Sequence, residues 1–213
     1  MSAAQPLASP GAAPGAEPFG EPLDGPFFAR SVHEVAADLV GCALLFDAVG
    51  GVIVETESYD ASDPACHAYG GITPRSEVLF GPPGRAYVYF SYGVHSLLNF
   101  VAEPEGEAAA VLIRALEPLR SIDAMRARRG VERIEDLCSG PGKLTQALGV
   151  GLELNGVSLR EGPIRVLARA GRWRRPRIVT APRIGISKAT ELPWRFCAEG
   201  HPCVSRPRPR DAR

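Results

Sequence analysis

The 213-residue sequence has no run of about 18 apolar residues, which excludes a hydrophobic membrane span. Its first residues also lack a basic segment followed by an apolar stretch, so no secretory signal is predicted. The five cysteines are an odd number and form no Cys-x-x-Cys pair. This disfavours a disulfide framework and a zinc ribbon, and it favours free thiols in a reducing compartment. We therefore predict a cytoplasmic globular protein.

Lysine is nearly absent, since the chain has 22 arginines and only two lysines, Lys143 and Lys188. The net charge of zero hides an asymmetry: residues 1–106 hold three basic residues against thirteen acidic ones, and residues 107–213 hold twenty-one against eleven. A basic half can follow the phosphates of a nucleic acid. A genome biased toward arginine codons would give the same composition, so composition alone leaves both explanations open.

Hydrophobic periodicity is missing from both ends of the chain. Residues 1–26 are rich in Ala, Pro and Gly, and residues 206–213 alternate Arg with Pro, so we predict disordered tails around one domain at 27–205. Periodicity and turn signals predict helices over 31–40, 120–129 and 143–148, the first with a Ser31–Glu34 capping box. They predict strands over 43–46, 51–59, 86–91, 97–101, 109–115, 164–168 and 178–180, with a turn at 49–51. Short connections and many strands indicate an antiparallel α+β domain.

The strand predicted over 51–59 carries two carboxylates followed by an aromatic residue on one face. Period-2 alternation places Glu55, Glu57 and Tyr59 together. This face could be the solvated side of an edge strand. It could instead hold a general base beside an aromatic platform, or a carboxylate pair that hydrolyses free nucleosides or small glycosides.

Two further motifs give weaker signals. Cys66 and His67 are neighbours in a turn-rich loop, but no second Cys/His pair has zinc spacing, which disfavours a metal site, and a thiol nucleophile is also disfavoured. The Ser139–Lys143 stretch resembles a phosphate-binding loop at a helix start, yet it lacks the first glycine and the Ser/Thr of a P-loop. An ordinary helix start explains it better.

Three of the five tyrosines, Tyr87, Tyr89 and Tyr92, lie within six residues. The sequence Ser91-Tyr92-Gly93-Val94 predicts a hairpin turn with Tyr92 at its tip. Such tyrosines can pack across strands. An exposed aromatic at a hairpin tip can also insert between stacked bases, as in proteins that unstack a duplex.

Eight segments together resemble the alkyladenine (3-methyladenine) DNA glycosylase family, in the family's order and over roughly residues 27–205. They are VIVETESY, DPACHAYGGITPRS, FGPPGRAYVYFSYGVHSLLNF, AVLIRALEP, MRARRG, LCSGPGKLTQALG, PRIGIS and PWRF. The resemblance implies a single α+β domain with a curved, barrel-like antiparallel sheet, surrounding helices and a protruding β-hairpin that intercalates into DNA. It also implies monofunctional excision of damaged purines from double-stranded DNA without a metal or organic cofactor. We accordingly expect a nucleoid-associated monomer of bacterial type.

The resemblance also implies catalytic roles. Glu57 matches the general base that activates water. Arg114 matches the arginine that helps to hold this water and the target phosphate, and the Ile184 carbonyl matches the third ligand of the water.

Substrate-binding roles follow in the same way. Tyr59, His67 and Tyr89 match the aromatic walls around a flipped base, and main-chain groups near Ala65 and His67 match those that contact its edge. Asn99 matches the residue that crowds the 2-amino group of guanine, and Tyr92 matches the intercalating wedge. Ser58 and Cys66 depart mildly from the family pattern, which bears on fine selectivity.

General chemistry agrees with these expectations. An enzyme that acts on a stacked base must take it out of the duplex, and aromatic walls attract the positive charge of alkylated purines. A carboxylate can deprotonate water and stabilise an oxocarbenium-like state. Both lysines are remote in sequence from the carboxylate strand, so water is the expected nucleophile rather than an amine. A nucleic-acid binder without catalysis remains the third class of function.

Overall fold

The computed structural model describes residues 19–91 and 93–209, and nine strands in these ranges form one antiparallel sheet. The two longest strands, β3 and β6, run side by side at its centre and pair over most of their length. The strands are β1 Phe19–Pro22, β2 Ala43–Phe46, β3 Val49–Asp60, β4 Ala86–Ser91, β5 His95–Val101, β6 Ala109–Arg120, β7 Ile164–Arg169, β8 Ile178–Ala181 and β9 Arg195–Ala198.

The sheet is open. Its strands follow the order β1-β7-β2-β3-β6-β5-β4, while β9 pairs with the end of β3, and β8 pairs with β9. The barrel-like closure that we expected from the resemblance is therefore wrong, although the single α+β domain with a large antiparallel sheet is confirmed. β4 and β5 pair from Ala86–Phe100 to Ser91–His95. Tyr92 lies outside the described residues.

Five short helices accompany the sheet in the described part of the chain: α1 Gly25–Phe28, α2 Val32–Leu39, α3 Ile122–Arg129, α4 Ile134–Leu137 and α5 Pro141–Leu148. The sequence predicted three of these. The expected capping box at α2 does not form, because the Ser31 side chain makes no capping hydrogen bond. Glu103 Oε1 instead accepts a hydrogen bond from the Val32 N–H (2.7 Å), so a distant carboxylate satisfies a free donor of the first turn.

Strand β3 is buried on both faces. Ile53 packs into the main core under the helices, whereas Val52 and Val54 pack into a second cluster with Trp173 on the other face. Alternating side chains of one strand thus enter two different apolar layers. Any polar side chain on this strand must find its partners inside the protein.

The turn between β2 and β3 lies at residues 47–48, not at the predicted 49–51, since Phe46 pairs directly with Val49. Asp47 adopts a left-handed conformation (φ 52°), which Asp tolerates better than most residues. Gly50 and Gly51 lie inside β3, where a Cβ would collide with the backbone oxygens of Leu44 and Glu117. These glycines allow close strand packing rather than the turn itself.

The described domain extends beyond the expected limits of 27 and 205. Phe19–Pro22 forms β1 against β7, and Asp24 caps α1. After residue 205, the Pro207 carbonyl accepts a hydrogen bond from Arg195 (3.1 Å). The remaining parts of the expected tails, residues 1–18 and 210–213, lie outside the described residues.

All five cysteines are buried and free of disulfides, as predicted. Within 19–91 and 93–209 there is no helix long and apolar enough to cross a membrane. The same residues contain no cluster of three His, Cys, Asp or Glu side chains suited to a metal ion.

Candidate active site

A cavity of about 870 Å³ is lined by strands β3 to β6, the start of α5 and the loops around residues 64–67 and 184–188. Tyr59 from β3 and Tyr89 from β4 belong to this lining, as does Asn99 from β5. The cavity brings together seven of the residues that we expected at the site: Tyr59, Ala65, His67, Tyr89, Asn99, Arg114 and Ile184.

Glu57 lies directly behind three of these lining residues. Its Oε2 accepts a hydrogen bond from the Tyr59 hydroxyl (2.8 Å) and lies 3.2 Å from Arg114, while its Oε1 accepts the Ile184 N–H (2.8 Å). The side chain has no exposed surface. Burial raises the pKa of the Glu57 carboxyl above its usual value, and the Arg114 charge opposes this shift.

Glu55 lies in a fully buried cluster of polar groups. It accepts hydrogen bonds from Arg114 Nε (3.0 Å), from Arg195 (3.1 Å), and from the N–H and hydroxyl of Ser205 (2.7 and 2.8 Å). The solvated edge-strand interpretation is therefore wrong for Glu55 and for Glu57. Neither carboxylate lines the cavity itself, but Glu57 contacts three lining residues whereas Glu55 contacts only one, Arg114, which disfavours the hypothesis of two cooperating carboxylates.

Aromatic rings form one side of the cavity. His67 meets Tyr89 edge-on at 4.6 Å between ring centres, and Tyr89 lies 5.3 Å from Tyr87. The Tyr87 hydroxyl is hydrogen-bonded to His67 Nδ1 (2.9 Å). Burial, assisted by the Arg75 charge, lowers the pKa of His67 to about 4, so the ring is neutral at physiological pH.

The neighbouring Cys66 is a poor nucleophile, because burial raises the pKa of its thiol to about 11. A hydrogen bond within the loop that carries Cys66 holds the backbone of the neighbouring Ala65, which lines the cavity. The Ala65 N–H donates to Asp63 Oδ1 (2.9 Å). Across the cavity, the Asn99 side chain donates to the Tyr87 carbonyl (3.1 Å) and remains almost fully buried.

The family model of methylpurine-DNA glycosylases matches residues 26–202, which is most of the chain. The chain belongs to the methylpurine-DNA glycosylase family. Relatives named "Putative 3-methyladenine DNA glycosylase" support this placement. One from Rhodopseudomonas palustris strain HaA2 is 58% identical over 181 residues, covering 85% of this chain and 89% of that protein. Another from Rhizobium meliloti is 50% identical over 183 residues, covering 86% and 96%.

Membership makes the chain a DNA glycosylase, a hydrolase of DNA repair that responds to alkylation damage. The aromatic cavity and the buried carboxylate lie in segments that carried the original resemblance. The family model ends before Ser205, so membership says nothing about the contact between Ser205 and Glu55.

Sequence reasoning missed a buried ion pair beside the cavity of this glycosylase. Arg183 contacts Asp63, and neither side chain has exposed surface. The Arg183 guanidinium also lies between the rings of Tyr59 (4.6 Å) and Trp194 (5.0 Å). All of these residues stand in the matched segments, but pairing across 120 residues leaves no local signal in one sequence.

The two lysines are far from Glu57 along the chain, but the fold brings both of them to the cavity. Lys143, at the start of α5, and Lys188 both line the cavity. A lysine amine can form a Schiff base with a sugar, so both lysines of this glycosylase are candidates for an amine nucleophile.

The expected wedge, Tyr92, falls outside the described residues, so its role stays a prediction. Phe90 and Ser91 before it and Val94 after it line the cavity. Phe90 and Val94 are also among the exposed large apolar side chains, at 49% and 64% exposure. Phe90 and Val94 therefore present exposed apolar surface at the cavity.

Proposed function

We propose that this glycosylase hydrolyses the N-glycosidic bond of alkylated or deaminated purines in duplex DNA after the damaged nucleotide has flipped out. Candidate bases are 3-methyladenine, 7-methylguanine, hypoxanthine and etheno-adenine. The observation that carries the proposal is a buried carboxylate, Glu57, held by Tyr59, Arg114 and Ile184, three residues that line an aromatic cavity. The proposed enzyme acts as a monomer and without a cofactor.

The cavity walls suit a purine with positive charge. Tyr59, Tyr89 and the neutral His67 offer aromatic surface to a flipped base, and aromatic faces attract cations. Tyr92 is proposed to fill the vacated space in the duplex, helped by the apolar residues Phe90 and Val94 on either side of the tip.

Glu57 is proposed to take a proton from the attacking water, with Arg114 and the Ile184 carbonyl holding that water. Because the carboxylate has no exposed surface, a neighbouring group must move before water can reach it. The same carboxylate then stabilises the positive charge that develops on the sugar as the base leaves.

Base release from duplex oligonucleotides that each carry one lesion tests this proposal, with undamaged duplex beside them. We expect release from lesion duplexes only. Salt-sensitive duplex binding without release would instead favour a nucleic-acid binder, and release from free nucleosides but not from DNA would favour a nucleoside hydrolase.

We expect activity to be lost on acidification at a pH above the usual range of a glutamate. A general base must be deprotonated to work, and burial raises the pKa of Glu57 above 4.5. The rate therefore falls as pH drops through this raised pKa. Single-turnover rates measured across pH locate the acid limb, and a limb at or below 4.5 would argue against Glu57 as the base.

Replacing Asn99 with Ser should raise the release of unmodified guanine relative to hypoxanthine. Asn99 lines the cavity and is fixed by the Tyr87 carbonyl, and a shorter side chain leaves more room for a 2-amino group. Asn155→Ser is a matched control, because Asn155 bonds the Val88 N–H (3.0 Å) from outside the cavity lining. An unchanged guanine-to-hypoxanthine ratio in Asn99→Ser would exclude this role.

A further inference from the structure

Arg114 is shared between two buried carboxylates. Its Nε bonds Glu55 (3.0 Å), and a terminal nitrogen lies 3.2 Å from Glu57. Both carboxylates have no exposed surface, and Arg114 is 5% exposed. Burial works against the charge on Arg114, but Glu57 and Glu55 outweigh it and raise its pKa. The direction in which this guanidinium points therefore decides how much positive charge Glu57 feels.

A second arginine, Arg195, also contacts Glu55. Strand β9 pairs with β3 so that Arg195 lies opposite Glu57 in the register, and its guanidinium reaches Glu55 at 3.1 Å. Arg195 is itself fixed by the carbonyls of Pro182 (2.9 Å) and Pro207 (3.1 Å). Two carboxylates and two guanidinium groups thus form a charge-balanced buried cluster.

Ser205, in the C-terminal segment, also makes hydrogen bonds to this cluster. Its N–H bonds Glu55 Oε2 (2.7 Å), its hydroxyl bonds Glu55 Oε1 (2.8 Å), and the same hydroxyl lies 3.4 Å from Arg114. Cys203 and Val204, both almost fully buried, anchor the segment. Ser205 does not line the cavity and lies three residues beyond the match to the family model.

We infer that Ser205 and Arg195 are positioning residues for the glycosylase reaction: they hold Glu55, and through it Arg114, in the orientation that serves Glu57. This inference rests on the proposed role of Glu57. Neither residue touches substrate. Without the Ser205 hydroxyl, Glu55 loses one of its fixed donors and Arg114 loses a neighbour, so the guanidinium is less well held against Glu57.

Other groups around Glu57 add little charge at neutral pH. Burial raises the pKa of Tyr59, that of Tyr89 to about 12 and that of Cys197 to about 12, so these three side chains stay neutral. The charged and titratable groups that face Glu57 are Glu55 and Tyr59 on β3, Tyr89 on β4, Arg114 on β6, and Arg195 and Cys197 on β9.

The test measures single-turnover base release from a hypoxanthine duplex across pH with the full chain. We expect Ser205→Ala to slow release roughly 3- to 10-fold, the range for one lost hydrogen bond. We also expect its acid limb to move to higher pH, because Glu57 loses part of the Arg114 stabilisation. Affinity for the lesion duplex should not change, and Ser205→Thr, which keeps a hydroxyl, should restore both the rate and the limb.

Two further variants complete the test. Ser158→Ala also removes a serine hydroxyl that accepts two backbone hydrogen bonds, but outside the cavity lining, and it should show the wild-type pH profile. Arg195→Gln should move the acid limb in the same direction as Ser205→Ala, which covers the case that Ser205→Ala does not fold. If Ser205→Ala or Arg195→Gln keeps the wild-type rate and the wild-type acid limb of the pH–rate profile, while Glu57→Gln is inactive, the inference is wrong and the proposed function still stands. A wild-type enzyme that releases no base would overturn both.

Discussion

Glu57→Gln should abolish base excision while leaving binding to a lesion duplex largely intact. Glutamine keeps the shape of the side chain and can still accept the Ile184 N–H, but it cannot take a proton from water. General-base catalysis contributes about 10²- to 10⁴-fold, so single-turnover release should fall by at least that range. Rates on hypoxanthine and etheno-adenine duplexes, measured beside equilibrium binding, check both parts.

Glu55→Gln is the matched comparison, since Glu55 stands two residues away on the same strand and shares Arg114. It should cost much less activity, because Arg114 is the only partner of Glu55 that lines the cavity, whereas Glu57 contacts three lining residues. Equal losses in the two variants would point to a mechanism with two carboxylates.

Asp63→Ala should lower the stability of the folded protein strongly. It leaves the Arg183 guanidinium buried without its anion, and breaking a buried pair costs about 3–5 kcal/mol. For a chain of this length, that loss lowers the melting temperature by roughly 6–20 °C. Thermal and urea unfolding of the full chain measure it.

Asp123→Ala provides the control, because Asp123 pairs with Arg126 at 3.0 Å while 94% of its side chain is exposed. Exposed pairs contribute about 0–1 kcal/mol, so this variant should melt close to the wild type. If Asp63→Ala also stayed within about 1 kcal/mol of the wild type, the Arg183–Asp63 pair would not stabilise the loop that carries Ala65 and His67.

Local patterns predicted much of this fold. Strands β2 and β4 have the predicted limits, and α2 and α3 begin within two residues of expectation, because alternation, caps and glycines act over a few positions. Local patterns do not show which strands lie at an edge. The pattern around Glu55 and Glu57 is therefore compatible with a solvated face of an edge strand. In the structure, β3 pairs with both β6 and β9 at these residues and is a central strand.

The parts of the site that the sequence did not reveal all depend on distant contacts. Ser205 and Arg195 reach Glu55 across 150 and 140 residues, and Arg183 reaches Asp63 across 120. Strand β9, which positions Arg195, has the sequence Arg-Phe-Cys-Ala, which shows no alternation of polar and apolar residues. Distance along the chain does not reveal the place of the two lysines either, since the fold brings both to the cavity.

Borohydride trapping during base release tests the central claim that water, rather than an amine of the protein, is the nucleophile. An amine nucleophile forms a Schiff base with the sugar, which borohydride reduces to a stable protein–DNA adduct. We predict free base, an intact strand with an abasic site and no adduct. A trapped adduct that forms with the wild type and disappears in Lys143→Met or Lys188→Met would contradict the account.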